Sequence, residues 1–371
     1  MDNRQAKDRI EKLIKEIERY RHAYHVLDKS LIPDAALDSL KKELFDLEQQ
    51  YPDLISSNSP TQRVGGEPLK EFKKVKHETR MISFNDAFSK EDMRNWLERL
   101  ENYLGHKINH NDKTFYCELK IDGLAIELIY ENGVLLQGST RGDGIIGENV
   151  TQNLKTVEAI PLKLKATLLH QGFGRQASDK LKVPKRLIVR GEVFLTKKEF
   201  ERINKEQDKK GAKAYANPRN IAAGSIRQLD QKITASRKLD SFTYDIITEL
   251  GQKIHQEEHD ILKDFGFKIN PHNKSAATLE EVFEFQEYWN KHRDKLPYEI
   301  DGIVVLLNDN KKYETAGIIG KAPRAAIAFK FSAKEATTII EDIKIQIGRT
   351  GVLTPVALLK AVQVGGITIT H

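Results

Sequence analysis

Apolar residues recur every three or four positions at the start of the chain. Ile10, Leu13, Ile14, Ile17 and Tyr24 share one helical face, and after an Ile32-Pro33-Asp34 break Leu37, Leu40, Leu44 and Leu47 share another. The pattern predicts a helical hairpin, with Asp34 capping the second helix by accepting from its free first-turn amides and Asp38 one turn further along. The turn-rich run from Ser57 to Gly66 closes this unit. Beyond it the period changes. Phe115 to Ile121 alternates, with Cys117, Leu119 and Ile121 on one face and Glu118 and Lys120, joined by Asp122 if the chain stays extended, on the other. Leu124 to Tyr130 turns at Asn132-Gly133, a strong hairpin signal, into Val134 to Gly138. Short apolar runs at 187–195, 242–247, 300–307 and 326–331 read as further strands, with helical stretches at Lys197 to Glu206 and Leu279 to His292 between them. The segment from His170 to Lys185 has no period and reads as an exposed loop.

Composition narrows the class. A chain of 371 residues has room for two or three domains. Lys and Arg total 60 against 54 Asp and Glu, a net +6 that suits a polyanionic partner. No apolar run approaches the roughly 18–20 residues that span a bilayer, and no apolar segment follows the charged N-terminus, so a cytoplasmic protein is expected. The single cysteine, Cys117, excludes an intrachain disulfide and a cysteine-cluster zinc site.

Several residues carry chemistry, and each alone has an ordinary reading. Lys120-Ile-Asp122-Gly123 puts an amine and a carboxylate on one strand face beside a glycine that lets a ligand approach the backbone, a spacing that chance also produces. Arg190-Gly-Glu192 reads as a structural ion pair, Asp301-Gly302 as a turn into a core strand, and Lys330 as an outward lysine guarding a strand edge. Tyr24, His25, Asp34 and Asp38 read as a packed tyrosine, a solvated histidine and two surface acids, or as a pocket for a flat cationic ring.

Their order along the chain changes the weighting. Glu118-Leu-Lys120-Ile-Asp122-Gly123, Thr140-Arg141-Gly-Asp-Gly144, Arg190-Gly-Glu192, Asp301-Gly-Ile-Val-Val305 and Ala328-Phe-Lys330-Phe331 together resemble the nucleotidyltransferase motifs of covalent ligases and capping enzymes. The Ala216 to Asp230 block, Ile347-Gly-Arg349-Thr-Gly351, Tyr24-His25 and Asp34 with Asp38 narrow the resemblance to the bacterial NAD-dependent DNA ligases, over essentially the whole chain. Leu37 stands where that family usually has a tyrosine, Leu306 where it commonly has a lysine, and Ser83-Phe84-Asn85-Asp86 replaces a usual Ser-Leu-Asp-Asn.

The resemblance implies an α+β protein in three parts. These are a helical nicotinamide-binding domain (1–71), a mixed α/β nucleotidyltransferase domain of the ATP-grasp-like covalent-ligase kind with antiparallel sheets (72–332), and an incomplete oligonucleotide-binding barrel (333–371). It further implies that Lys120 takes AMP from NAD, that AMP passes to the 5′-phosphate of a nick in duplex DNA, and that a 3′-hydroxyl then joins. Asp122 would orient Lys120, and Glu192, Asp301 and Lys330 would complete the catalytic set. NAD would contact Tyr24, His25, Asp34, Asp38, Ser83, Phe84, Glu118, Lys120, Arg141, Glu192, Leu306 and Lys330, with Glu118 reading the adenine edge. Glu192 and Asp301 would hold Mg²⁺ or Mn²⁺, and Arg219, Arg227 and Arg349, with Asn217, would lie along the DNA. The expected protein is a bacterial cytoplasmic monomer without membrane contact, a fragment of a longer ligase whose zinc lies downstream. A non-enzymatic nucleic-acid-binding relative is the competing class; an ATP-using ligase or capping enzyme is disfavoured by the N-terminal helices.

Overall fold

The computed structural model describes residues 2–27, 29–56, 58–63, 69–109, 111, 113–165, 183–331, 336–347, 351–364 and 367–371. The unpatterned loop expected at His170 to Lys185 lies almost wholly outside them, as does Arg349.

Two antiparallel helices open the chain, α1 (Asn3–His25) and α2 (Asp34–Gln50). Ile10, Leu13, Ile17, Leu37 and Leu44 form their shared core, so the helical periodicity reports real packing, except that Tyr24, expected on the same face, is exposed and outside that core. Asp2 caps α1 in a capping box with Gln5. The N-cap position expected of Asp34 is held by Pro33, without a side-chain bond, and Asp34 is the first helical residue, its side chain outside the described part. Proline's fixed φ suits the turn before a helix, which displaces the carboxylate from the capping position by one residue.

The elements that shape the site follow as β1 (Asp86–Ala87), α3 (Lys90–Leu104), β2 (Phe115–Ile121), β3 (Leu124–Glu131), β4 (Val134–Thr140), β5 (Arg186–Phe194), α4 (Lys197–Lys209), α5 (Pro218–Ile226), β6 (Asp240–Ile246), α6 (His255–Phe265), β7 (Lys274–Ala276), α7 (Leu279–His292), β8 (Ile300–Leu307) and β9 (Ala326–Lys330). They make two sheets. One has the order β1-β9-β8-β2-β7, antiparallel except where β1 runs parallel to β9; the other is antiparallel, in the order β4-β3-β5-β6. The hairpin from β3 to β4 turns at Asn132 and Gly133 with φ of 48° and 79°, the left-handed pair that matches strand twist.

Each sheet has its own core. Trp96 of α3 and Phe283, Phe285 and Trp289 of α7 pack on Phe115, Cys117, Leu119, Ile303, Val305 and Phe329. Leu262 and Phe265 of α6, with Phe267, pack with Ile126, Leu128, Tyr130 and Val189 of the second sheet. Strand β2 is therefore covered on both faces, and the alternation in its sequence separates two buried sides rather than core from solvent. Near the C-terminus, β10 (Ile340–Ile347) and β11 (Leu353–Leu359) form an antiparallel hairpin that exposes Ile343, Ile345 and Ile347. Among the described residues, no helix is long and apolar enough to cross a membrane.

Candidate active site

A cavity of about 1930 Å³ is lined from both sheets. The chain crosses between them at Asp122-Gly123, where β2 of one sheet ends and β3 of the other begins. Glycine is required there for close approach, since a Cβ at 123 would lie 2.3 Å from the Val193 carbonyl oxygen and 2.9 Å from Glu192 Cγ. Lys120 sits just before this crossing and points into the cavity.

Its amine meets Asp301, donating to Oδ2 at 3.2 Å and lying 3.1 Å from Oδ1. Asp301 reaches this position because the β8–β2 pairing slips between Ile300 and Gly302, and Gly302 then pairs with Lys120 on one side and Lys330 on the other. A side chain at 302 would meet the Phe329 carbonyl oxygen at 2.5 Å. The Lys330 amine lies 3.2 Å from Asp86 Oδ2 and 3.9 Å from Asp301 Oδ2, so one carboxylate stands between two amines. Asp301 Oδ1 is buried and, although in ion-pair contact with the Lys120 amine, accepts no hydrogen bond.

Asp122 and Glu192 complete the acidic set. Asp122 does not reach for Lys120; its Oδ1 accepts from Arg219 Nη1 at 3.0 Å, and Asp301 takes the amine instead. Burial pushes the Glu192 carboxyl up to about 7, against the opposing pull of Lys120, Arg219 and Arg141. Its sequence neighbour Arg190 is the structural residue of that motif, bonding Glu127 Oε2 through Nε at 3.1 Å and Nη2 at 3.0 Å, while His77 Nδ1 lies 2.9 Å from Glu127 Oε1. Arg141 also lines the cavity, with Nη1 3.4 Å from Ser83 Oγ.

Deeper in, Phe84, Tyr116, Val304 and Leu306 pack as one apolar cluster. Glu118 is buried beside this wall, and its Oε1 lies 2.9 Å from His255 Nε2 and 2.7 Å from His259 Nε2. Burial alone would raise the Glu118 carboxyl, but these two contacts outweigh it and bring the carboxyl down to about 2. Burial likewise opposes a charge on His255, yet Glu258 and Glu118 on either side raise it well above the usual imidazole value.

The remaining expected contacts divide between the helical unit and the cavity. Tyr24 and His25 end α1, with ring centroids 4.8 Å apart, and Asp38 on α2 lies 3.7 Å from Lys41; none of the three lines the cavity. Burial, reinforced by Arg21 and Arg63, lowers His25 to about 3, leaving it neutral near Glu158. Arg63 ties the helical unit down by donating to the carbonyls of Lys155 and Val157. Leu37 packs in the helical core rather than in a pocket. Arg219 and Arg227 do line the cavity, with Arg227 gripping Glu148 through Nε at 2.7 Å and Nη2 at 2.8 Å. Asn217 is occupied as the cap of α5, accepting from Asn220 N at 2.8 Å.

Sequence reasoning misses Asp86, His255, Glu258 and His259. The histidines carry a local signal, two imidazoles four apart on a helix, but their shared partner Glu118 lies 137 and 141 positions away.

Comparison with known families and proteins bears on this geometry. Residues 69–334 match the NAD-dependent DNA ligase adenylation domain, residues 3–65 the DNA ligase-like N-terminal NAD+-binding domain, and residues 337–371 the NAD-dependent DNA ligase OB-fold domain. A DNA ligase of Halalkalibacterium halodurans is 44% identical over 371 residues, covering 100% of this chain and 52% of that protein. One from Oceanobacillus iheyensis is 45% identical with the same coverage. One from Thermoanaerobacter sp. is 46% identical over 362 residues, covering 97% of this chain and 51% of its own length. The chain thus spans about half the length of the curated relatives it matches.

Proposed function

The chain belongs to the NAD-dependent DNA ligases, and we propose that it carries their adenylation chemistry, with Lys120 as the nucleophile. The observation that carries this reading is the Lys120–Asp301–Lys330 arrangement: a cavity-facing amine hydrogen-bonded to one carboxylate, with a second amine within 4 Å of the same oxygen. In the reaction, Lys120 Nζ attacks the phosphorus of the AMP half of NAD. The N–P bond forms, the bond to the bridging pyrophosphate oxygen breaks, and nicotinamide mononucleotide leaves. The amine loses a proton on the way, and Asp301 Oδ2 is the acceptor within reach. Lys330 and Arg141 face the charge that builds on the phosphate oxygens.

Adenine would lie against Phe84 and Leu306, its amino edge read by the ionised Glu118 carboxylate. Glu192 would hold the ribose beside Arg141, with Ser83 at the rim, and Asp122 would act on Lys120 through Arg219 rather than by direct contact. The carboxylates also suit a hard divalent cation: Asp301 Oδ1 is a buried oxygen without a hydrogen bond, and Glu192 lines the same cavity. When bound, Mg²⁺ or Mn²⁺ would neutralise phosphate charge. Tyr24, His25, Asp34 and Asp38 would receive the cationic nicotinamide ring, and nicked duplex DNA, the subsequent acceptor, would run past Arg219, Arg227 and Arg349. The divisions 1–71, 72–332 and 333–371 would separate nicotinamide recognition, adenylyl transfer and DNA contact, in a monomer working in the bacterial cytoplasm.

The test uses two donors. NAD labelled in its AMP half should transfer label to the chain and labelled ATP should not; equal labelling by ATP would overturn the donor assignment.

A further inference from the structure

Beside the reaction centre, Glu118, His255 and His259 converge three ligand atoms from β2 and α6. The Nε2 atoms of the two histidines are 3.3 Å apart, and each lies within 2.9 Å of Glu118 Oε1. We infer that this triad is a binding site for a first-row transition cation of the Zn²⁺ class, and that the bound ion inhibits adenylation by taking Glu118 away from the adenine.

The spacing is that of half a tetrahedral shell. Ligands about 2.0–2.1 Å from zinc stand roughly 3.3 Å from each other, which the two nitrogens already satisfy, and the carboxylate oxygen needs to withdraw by about half an ångström. His255 and His259 are one turn apart on α6, so the helix sets their separation, and Tyr116 packs against both rings at centroid distances of 5.5 and 4.9 Å. An outer carboxylate is in place: Glu258 Oε2 lies 3.4 Å from His255 Nδ1, and Glu258 is itself fixed by Asn310 Nδ2 at 2.8 Å and the Ile246 amide at 3.2 Å. Asp245 adds a third acid, its ligand atom within 4.8 Å of those of His255 and Glu258. Three acids share a largely buried space, so a divalent cation is a natural counter-charge. Two imidazoles favour zinc or cobalt over magnesium, which separates this site from the oxygen-only pair Glu192 and Asp301. On binding, each imidazole offers a nitrogen lone pair, and any proton held there is released to the buffer.

Coordination stands on this geometry alone, whereas inhibition rests on the proposed adenine-reading role of Glu118, and the experiment keeps the two apart. The full chain, stripped with a chelator, is titrated with Co²⁺ and with Zn²⁺ in excess Mg²⁺, and NAD labelling is followed in parallel. One Co²⁺ per chain should bind with the visible spectrum of a four-coordinate site. His259→Leu and His255→Gln should each lose that spectrum and weaken Zn²⁺ at least tenfold, with thermal melts reporting their folding. Zn²⁺ should suppress labelling of the parent chain, NAD should relieve the suppression competitively, and the plus-to-minus Zn²⁺ ratio should approach one in His259→Leu. Failure to bind one Co²⁺, or binding unchanged in both folded variants, overturns the site. A Co²⁺ site without suppression of labelling overturns the inhibitory half and the adenine reading of Glu118, leaving the nucleophile assignment intact.

Discussion

The amine of Lys120 hydrogen-bonds to Oδ2 of Asp301 at 3.2 Å, across two strands that pair antiparallel with a slip at that point. The slip puts Asp301 between two lysines, so its charge has two claims on it, and both depend on Gly302 keeping the strands close. Replacing Asp301 with Asn keeps the shape and removes the charge. Adenylation by NAD should fall by roughly 10²- to 10³-fold, the scale of losing one well-placed electrostatic group, as read by single-turnover labelling. A loss under threefold would show that Asp301 neither positions the amine nor serves a cation.

Glu192 sets a pH dependence. Its carboxyl is pushed up to about 7, so it is mostly protonated at pH 6 and mostly ionised at pH 8. If the carboxylate is the working form, the rate of adduct formation rises through that interval, and Glu192→Gln is slow with this rising limb absent. The stability sign is opposite. A folded pKa above the unfolded value of roughly 4.3 means the folded chain holds the extra proton, so this group's contribution to stability declines as pH rises from the unfolded value to about 7. A rate profile with no inflection near 7 would remove Glu192 from the rate-determining chemistry.

Gly123 is predicted to tolerate no side chain. Gly123→Ala drives a methyl to 2.3 Å from the Val193 carbonyl oxygen, which forces the crossing beside Lys120 away from β5, the strand that pairs with β3 from Leu124 onward. Overpacking of this kind costs about 1–3 kcal/mol, seen as a lowered Tm together with slower labelling. An unchanged melt would mean that the crossing yields easily.

Tyr24 should matter for NAD and not for the fold. It is 45% exposed and holds no core position, so Tyr24→Ala should leave the Tm in place. Loss of a ring face for a pyridinium is worth about 1–2 kcal/mol, a roughly 5- to 30-fold rise in KM for NAD. Unchanged KM would assign nicotinamide recognition to other residues.

The sequence makes some levels of this structure legible and hides others, for identifiable reasons. Helix Leu279–His292 and strand Ile300–Leu307 are readable to their ends because burial follows the helical period in the first and is nearly continuous along the apolar run of the second. The ordered motifs identify Lys120, Glu192, Asp301 and Lys330 as a set. What joins them is not readable: Lys120 and Asp301 are 181 positions apart, and only the slipped pairing makes them neighbours. Arg190 and Glu192 look like one ion pair in sequence, yet the arginine's partner is Glu127 on the adjacent strand β3. Register is a property of two strands, and one-dimensional patterning carries little of it.

Whether Lys120 is the residue that takes AMP is decided by intact-mass measurement after incubation with NAD and Mg²⁺, followed by peptide mapping of the modified chain. A single added AMP is expected, located on Lys120 and absent from a folded Lys120→Ala variant. An adduct that persists in that variant, or an unmodified parent chain, would contradict it.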